Sequence, residues 1–422
     1  YYPATDGSSQ RDHRAVDEAK NEESSKLTPS IGVSRRSSGV QLPPPPPRHR
    51  LPYQGSLSRV WPKRESLPCA VTNELRWWER VYTEYGLKTG ILYTKIYKAA
   101  SSTLSGIALQ MSRNLRMRQP DHKLLVSKMC RFSPDRCVPP QGVEPMCAVR
   151  FDHSTPTART HKYAMRNVND TLLWTFVRNP TARAISAFFH LEVSRGKVEP
   201  KDQKFIDYLS VKENLGADLY LREMVYVAKE RNGTTERLTE LAFQSYDFVG
   251  VVERMHESLV VMKMLWGLEW ADLLFLPSKT AGGWDDGVYD RASNTFEDPT
   301  KLDSCVYIVP SFLSPGMYSF FESSPTWQNK SDRDWLVYRV ANASLDRTIS
   351  SLGKDVVDLN VRKYKAALEL AKDACASTTV WPCNSAGVRT PNRNDTDCLY
   401  WDSGCGYKCF ETLDLSSIDQ IR

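Results

Sequence analysis

The chain has 422 residues, of which 56 are Lys or Arg and 50 are Asp or Glu, so its formal net charge is +6. A chain of this length is typical of about two or three domains and is long enough to bury a sizeable core. The basic excess is small and spread along the chain, so it suits an anionic ligand but does not indicate a nucleic-acid-binding protein. No apolar run of about 18 residues is present, so we predict no membrane span in this chain and expect any membrane anchor to lie upstream of it.

The first part of the chain is poor in apolar periodicity and rich in Ser, Arg, Glu and Pro, with continuous proline from Pro43 to Pro47. Such a composition buries too little apolar surface to offset the entropy lost when a chain becomes ordered. We therefore predict a disordered, Pro/Ser-rich stem over residues 1–70. The alternative is a proline-rich ligand for a partner domain.

The stretch from Ile91 to Leu104 predicts a strand, a tight loop and the start of a helix. Its first part is a short apolar run, and apolar residues from Leu104 onward recur at helical spacing. Lys98 and several small or hydroxyl-bearing residues stand between the two elements, so backbone N–H groups and a helix N-terminus would face a ligand there. We therefore predict an anion site. The alternative is that Ser101 only caps a helix and that Lys98 is a solvated surface charge.

A second strand-to-helix junction follows the run from Leu172 to Val177. This run has no polar alternation, which is typical of a strand covered on both faces in a parallel sheet. Asn179 and Pro180 then supply a helix cap and a first-turn proline. Arg178 is thus predicted at the carboxyl end of a buried strand, where open α/β sheets bind ligands. The alternative is an arginine that pairs with a carboxylate.

Helices and two further strands are predicted in the rest of the chain. Apolar spacing predicts helices over Phe205–Leu209, Leu219–Lys229, Glu236–Tyr246 and Glu257–Trp266, and strands over Asp247–Val252 and Leu273–Leu276. A helical pattern from Ser331 to Lys372 predicts packing on the sheet, with a dimeric coiled coil as the alternative. The fold class expected over residues 71–372 is therefore α/β, a parallel sheet flanked by helices.

Ten cysteines bear on the compartment in which the protein folds. Half of them crowd residues 373–422 among Gly, Pro, Asn and Asp, which is typical of a small disulfide-stapled tail. The alternative is an all-cysteine zinc site that includes Cys405 and Cys409. Asn-x-Ser/Thr sequons at Asn169, Asn232, Asn329, Asn342 and Asn394 also favour a secretory route.

The two junctions together resemble a known protein family. The segments Lys98-Ala-Ala-Ser-Ser-Thr103 and Val177-Arg-Asn-Pro-x-x-Arg-x-x-Ser186 resemble the two nucleotide-binding segments of Golgi carbohydrate sulfotransferases, with the galactose 3-O- and uronyl 2-O-sulfotransferases nearest. Phe248 to Leu259 is similar to the strand and helix that follow in that family. Members usually have a glycine where this chain has Ala100, so a positive φ at Ala100 would strain the loop.

The resemblance implies a P-loop-like sheet and transfer of a sulfuryl group from 3′-phosphoadenosine 5′-phosphosulfate (PAPS) to a carbohydrate hydroxyl, in the Golgi lumen and without a metal. By position, it implies that the 5′-phosphosulfate is held by Lys98, Ala99, Ala100, Ser101, Ser102 and Thr103, and the 3′-phosphate by Arg178 and Ser186. It also implies a glycan, proteoglycan or glycolipid as the partner. The oligomeric state is not predicted.

Sulfuryl transfer to a hydroxyl needs a base and a positive charge near the leaving phosphate oxygen. Lys98 suits the second role. Ala148 stands where the family has a histidine, so our first candidate for the base is His153, followed by His161 and then Asp152.

Two other functions are left open by the sequence. One is a P-loop kinase or nucleotide hydrolase, although this loop has no glycine. The other is a secreted glycan-binding protein that keeps the fold without catalysis.

Overall fold

The computed structural model describes residues 41–65, 67, 90–118, 123–126, 145–152, 169, 171–211, 219–224, 233–277, 282–286, 289–290, 295–296, 305–390, 395–398 and 404–421. These residues belong to one compact unit, Val40–Arg422. Within the described ranges, no helix has both the length and the apolar composition needed to cross a bilayer.

In the described part of the chain, five parallel strands form the central sheet. They are β1 (Gly90–Thr94), β2 (Lys123–Val126), β3 (Pro145–Asp152), β4 (Thr171–Val177) and β5 (Phe248–Val251). Their order is β2-β3-β1-β4-β5, and every neighbouring pair is parallel. All seven residues of β4 are buried, which agrees with its continuous apolar sequence. The predicted α/β class with a parallel sheet is confirmed.

Helices connect and cover these strands. They are α1 (Ser101–Met117), α2 (Pro180–Phe188), α3 (Asp202–Ser210), α4 (Tyr220–Met224), α5 (Thr235–Ser245), α6 (Met255–Trp266), α7 (Pro315–Ser323), α8 (Pro325–Leu352), α9 (Lys354–Cys375) and α10 (Tyr407–Phe410). A π-helix, Phe189–Arg195, continues α2, and 3₁₀ helices span Pro47–His49, Val252–Arg254, Trp270–Leu273 and Ser416–Gln420. Two short antiparallel pairs, β6 (Trp284–Asp285) with β9 (Val306–Tyr307) and β7 (Tyr289–Asp290) with β8 (Thr295–Phe296), complete the described elements.

The long helical pattern near the C-terminus forms two helices rather than one. Gly353, with φ 90°, separates α8 from α9, a backbone conformation that side-chain-bearing residues rarely adopt. Val337 and Leu345 of α8 are fully buried. Helix α8 contacts β5, and α9 contacts α6. The prediction that this segment packs on the sheet domain is confirmed.

The predicted disordered stem over residues 1–70 is wrong for residues 41–65, while residues 1–40 lie outside the described ranges. Trp61 is 1% exposed, and its ring lies 5.8 Å from that of Phe243. Its backbone N–H donates to Oγ1 of Thr348 at 3.0 Å, and the Arg59 guanidinium donates to the carbonyl of Phe243 at 2.8 Å. The composition of the whole stretch concealed this anchor because one buried tryptophan and a few main-chain bonds are enough to order a short segment on a formed surface.

His49 ties the same segment to α8. Its Nε2 lies 2.6 Å from Oδ1 of Asp332, and its Nδ1 accepts from Nη1 of Arg339 at 3.2 Å. Because Nδ1 acts as an acceptor, the proton is assigned to Nε2, and the ring is neutral. Burial lowers the pKa of His49 and outweighs the opposing effect of the Asp332 carboxylate.

The cysteine-rich tail does not form a separate domain over residues 373–422. Among the described residues, three disulfides join Cys305 to Cys383, Cys375 to Cys409, and Cys398 to Cys405. The zinc alternative is wrong because Cys405 and Cys409 are both disulfide-bonded. The boundary at residue 373 falls inside α9, and Phe410 and Ile418 join the core that contains the sheet.

A close contact joins the tail to α1. A Cβ atom at Gly106 of α1 would lie 2.5 Å from the backbone nitrogen of Gly404. The tail therefore packs directly on the helix that follows β1, and the domain predicted over residues 71–372 extends at both ends. The sequence missed this because disulfide and glycine contacts depend on the folded arrangement of distant segments.

Candidate functional site

The site lies at the carboxyl ends of two neighbouring central strands. After β1 the chain passes through α1 to β2 on one side of the sheet, and after β4 it continues to β5 on the other side. The loops that leave β1 and β4 therefore diverge. A crevice outside the carboxyl ends of strands at such a switch point is the usual ligand site of open α/β sheets. The two junctions predicted from the sequence meet here.

The loop between β1 and α1 has an uncommon backbone conformation. Lys98 has φ 60° and Ala100 has φ 55°. Only one other described residue that is not glycine, Lys197, has a positive φ. This conformation costs roughly 1–2 kcal/mol for a residue with a Cβ atom, so two such residues within three positions indicate a loop held in shape by its surroundings. Backbone strain of this kind is concentrated at ligand sites, and turns with left-handed residues can direct N–H groups towards an anion.

The first turn of α1 adds further donors to this loop. The helix begins at Ser101, and the backbone N–H of Leu104 bonds to the carbonyl of Ala100 at 3.0 Å. N–H groups ahead of Leu104 precede the intrahelical ladder. Ser101, Ser102 and Thr103 are all partly exposed, so backbone and hydroxyl donors of this turn lie at the surface. The positive end of the helix dipole is located at the same place.

Arg178 joins the two segments directly. Its Nη1 donates to the carbonyl of Lys98 at 3.1 Å. No carboxylate in the described part of the chain lies within 4.0 Å of its guanidinium. Burial lowers the pKa of Arg178, while the charge of Glu253 acts from beyond ion-pair distance. The alternative of an arginine paired with a carboxylate is therefore wrong, and the site holds a partly buried cation that an anion would complement.

Three polar residues at the cap and along the following helix, α2, have different environments. Asn179 caps α2, because its side-chain oxygen accepts from the N–H of Ala182 at 3.1 Å. Arg183 is fully buried and pairs with Asp334 at 2.8 Å, so it serves the core rather than the crevice. Ser186 is partly exposed, and its hydroxyl makes no hydrogen bond to any described residue. Of these side chains, Ser186 is the one available to a ligand.

The first two candidates for the base, His153 and His161, lie outside the described residues. The strand that precedes His153 is described, and its last residue, Asp152, is the Cα partner of Thr94 at the end of β1. The end of β3 therefore lies at the same edge of the sheet as the loop between β1 and α1.

Three residues near the site were not identified from the sequence. Lys95 directly follows β1 and is 2% exposed. Tyr220 contacts the backbone of Arg178 through its hydroxyl, and Glu253 accepts the backbone N–H of Asn179 at 2.9 Å. The position of Lys95 inside an apolar run was a usable signal for a buried cation. Tyr220 and Glu253 carry no local signal because their roles depend on contacts between distant segments.

Comparisons of the chain with protein-family models, with curated proteins and with solved structures give no match. Function is therefore inferred from the geometry of this crevice and from the resemblance of its two segments.

Proposed function

We propose that the protein is a sulfotransferase that moves a sulfuryl group from PAPS to a hydroxyl of a carbohydrate acceptor. The observation that carries this proposal is the position of Arg178, a partly buried guanidinium with no described carboxylate partner that bonds to the main chain of Lys98. A single anionic ligand with two separated charged groups would contact both segments. PAPS has this form, with a 5′-phosphosulfate and a 3′-phosphate.

Each end of the donor has its own set of residues in this proposal. Lys98 and the loop through Thr103, which includes Ala99, Ala100, Ser101 and Ser102, would hold the 5′-phosphosulfate at the N-terminus of α1. Arg178 and Ser186 would hold the 3′-phosphate. The guanidinium keeps N–H donors beyond the one that bonds to Lys98, because an arginine has five. It can therefore brace the loop and bind a phosphate oxygen at the same time.

The reaction proceeds by in-line displacement at sulfur. A base removes the proton from the acceptor hydroxyl while its oxygen bonds to sulfur, and the bond between sulfur and the phosphate oxygen breaks. The products are the sulfated sugar and adenosine 3′,5′-bisphosphate. Lys98 and the donors of α1 stabilise the charge that develops on the leaving phosphate oxygen. We assign the base to His153, with His161 and Asp152 as the alternatives.

The covalent features of the chain support a secretory setting. The three disulfides among the described residues suit an oxidising compartment, and we propose the Golgi lumen. Asn329 is exposed and suits a glycan, whereas the amide nitrogen of Asn342 donates to the carbonyl of Tyr338 at 3.0 Å. Asn329 is therefore the better candidate for glycosylation of the two.

A turnover assay tests the proposal. The protein is incubated with radiolabelled PAPS and a panel of glycans, and release of adenosine 3′,5′-bisphosphate is measured together with label in the glycan. We expect Lys98→Ala to reduce turnover about 100-fold or more. Lys197→Ala is the matched control, because Lys197 is an exposed lysine that also has a positive φ, 52°. Undiminished turnover in Lys98→Ala would remove Lys98 from the mechanism.

The same assay, run in parallel with ATP and magnesium, separates the competing functions. A glycan-binding protein without catalysis would retain glycan and release no bisphosphate. A kinase or nucleotide hydrolase would consume ATP with magnesium and leave PAPS intact. The loop from Lys95 to Thr103 has no glycine, whereas the P-loop of those enzymes requires glycines at fixed positions.

A further inference from the structure

Tyr220, in α4, makes a two-way contact with the backbone of Arg178. The N–H of Arg178 donates to the Tyr220 hydroxyl at 3.0 Å, and the same hydroxyl donates to the carbonyl of Arg178. One hydroxyl therefore satisfies both main-chain groups of the residue that links β4 to α2. Tyr220 is fully buried, and burial raises the pKa of its hydroxyl, which keeps the donating proton in place. A phenylalanine at this position would satisfy neither group.

Tyr220 is itself held by a buried residue of α8, Asp334. Its backbone N–H donates to Oδ1 of Asp334 at 2.8 Å. The other carboxylate oxygen of Asp334 accepts from Arg183 at 2.8 Å, and the Arg183 guanidinium lies over the ring of Tyr220 at 5.2 Å. Asp334, Arg183 and Tyr220 are each 0% exposed. Because paired and buried groups of this kind move little, the Tyr220 hydroxyl is a fixed reference point for Arg178.

The side chain of Arg178 in turn contacts the loop between β1 and α1. Since Nη1 of Arg178 donates to the carbonyl of Lys98, an unbroken series of hydrogen bonds runs from Asp334 through Tyr220 and Arg178 to the strained loop. We infer that Tyr220 is a positioning residue of the donor site, which holds the main chain of Arg178 so that its guanidinium reaches both the loop and the 3′-phosphate of the donor. The second half of this inference depends on the proposed function, and the first half does not.

Hydrogen exchange tests the part that needs no ligand. In Tyr220→Phe, the backbone amides of the loop from Lys98 to Ser101 are expected to exchange about five- to thirtyfold faster than in the wild type, because the support of Arg178 is lost. Tyr364→Phe is the matched control. Tyr364 is also 0% exposed, and its hydroxyl donates to the carbonyl of Leu273 at 2.7 Å. If both variants leave exchange in the loop unchanged, or both accelerate it equally, Tyr220 has no positioning role.

Nucleotide titration tests the part that depends on the donor. We expect Tyr220→Phe to weaken binding of adenosine 3′,5′-bisphosphate about five- to thirtyfold. Binding of AMP, which lacks the 3′-phosphate but still contacts the loop through its 5′-phosphate, should weaken by a smaller factor. In an Arg178→Met background, Tyr220→Phe should cause no further loss, because Tyr220 acts through Arg178. Equal losses for the two nucleotides, or additive losses in the double variant, would overturn the inference.

The two measurements distinguish the failure of this inference from the failure of the proposed function. If wild-type protein does not bind adenosine 3′,5′-bisphosphate, the proposed function fails, and the exchange experiment still decides whether Tyr220 positions the loop. If the wild type binds and Tyr220→Phe binds equally well, the proposed function stands and the positioning role is refuted.

Discussion

Two neighbouring arginines are predicted to respond in opposite ways when each is replaced by methionine. Arg178 has no described carboxylate partner and lies at the crevice, whereas Arg183 is paired with Asp334 in the core. Methionine keeps much of the apolar stem of each side chain and removes its charge. Arg178→Met should therefore impair ligand binding with little effect on stability, and Arg183→Met should destabilise the fold.

The magnitudes follow from the contacts of each guanidinium. Arg178→Met loses one charge-assisted bond to the carbonyl of Lys98 but also relieves the burial of a cation, so we expect its free energy of unfolding to change by no more than about 1 kcal/mol. Loss of its bond to a phosphate should cost about 1.5–3 kcal/mol of binding free energy, which is about 13- to 160-fold in Kd. Arg183→Met leaves the Asp334 carboxylate buried without its partner, which costs about 3–5 kcal/mol of stability.

Urea denaturation and calorimetric titration with adenosine 3′,5′-bisphosphate measure the two effects on the same samples. We predict a native-like unfolding midpoint and weakened binding for Arg178→Met, and a clearly lower midpoint for Arg183→Met. A loss of about 3 kcal/mol or more is the cost of breaking a buried ion pair. If Arg178→Met lost that much stability and kept its affinity for the bisphosphate, Arg178 would have a structural role and would not contact the ligand.

Three further predictions concern the loop, the N-terminal segment and the tail. Ala100→Gly should raise the free energy of unfolding by about 0.5–1 kcal/mol in urea denaturation, because relief of the positive φ exceeds the entropy gained by the unfolded chain; a loss of stability would contradict the strained backbone. The pKa of His49 is lower in the folded than in the unfolded state, so its contribution to stability should be present above the unfolded value of about 6.5 and lost as pH falls; a His49→Gln variant with the same pH dependence of its unfolding midpoint would refute this. Gly106→Ala should destabilise the protein by about 1–3 kcal/mol, since the new Cβ meets the backbone of Gly404; an unchanged melting temperature would show that the tail is not seated on α1.

The parts of the fold that the sequence predicted are those with local patterns. The continuous apolar run before Arg178 predicted a buried parallel strand, and Asn179 followed by Pro180 predicted the helix start, both of which the structure has. These patterns are sufficient because strand burial and helix capping depend on residues close together in the chain.

The parts that the sequence did not predict depend on contacts between distant segments. Trp61 anchors a segment whose composition indicates disorder, and Tyr220 reaches Arg178 from 42 positions away. The positive φ values of Lys98 and Ala100 also have no compositional signal, because neither residue type favours that conformation. The sequence predicted that Lys98 and Arg178 serve one site, and their bond supports that prediction, whereas His153 lies outside the described residues.

Calorimetric titration of the wild-type protein with adenosine 3′,5′-bisphosphate and with AMP tests the central claim most directly, because the two ligands differ only in the 3′-phosphate assigned to Arg178 and Ser186. We predict that the bisphosphate binds about 13- to 160-fold more tightly than AMP, the range expected for one charge-assisted bond of about 1.5–3 kcal/mol. Equal affinities for the two nucleotides, or no binding of either, would contradict it.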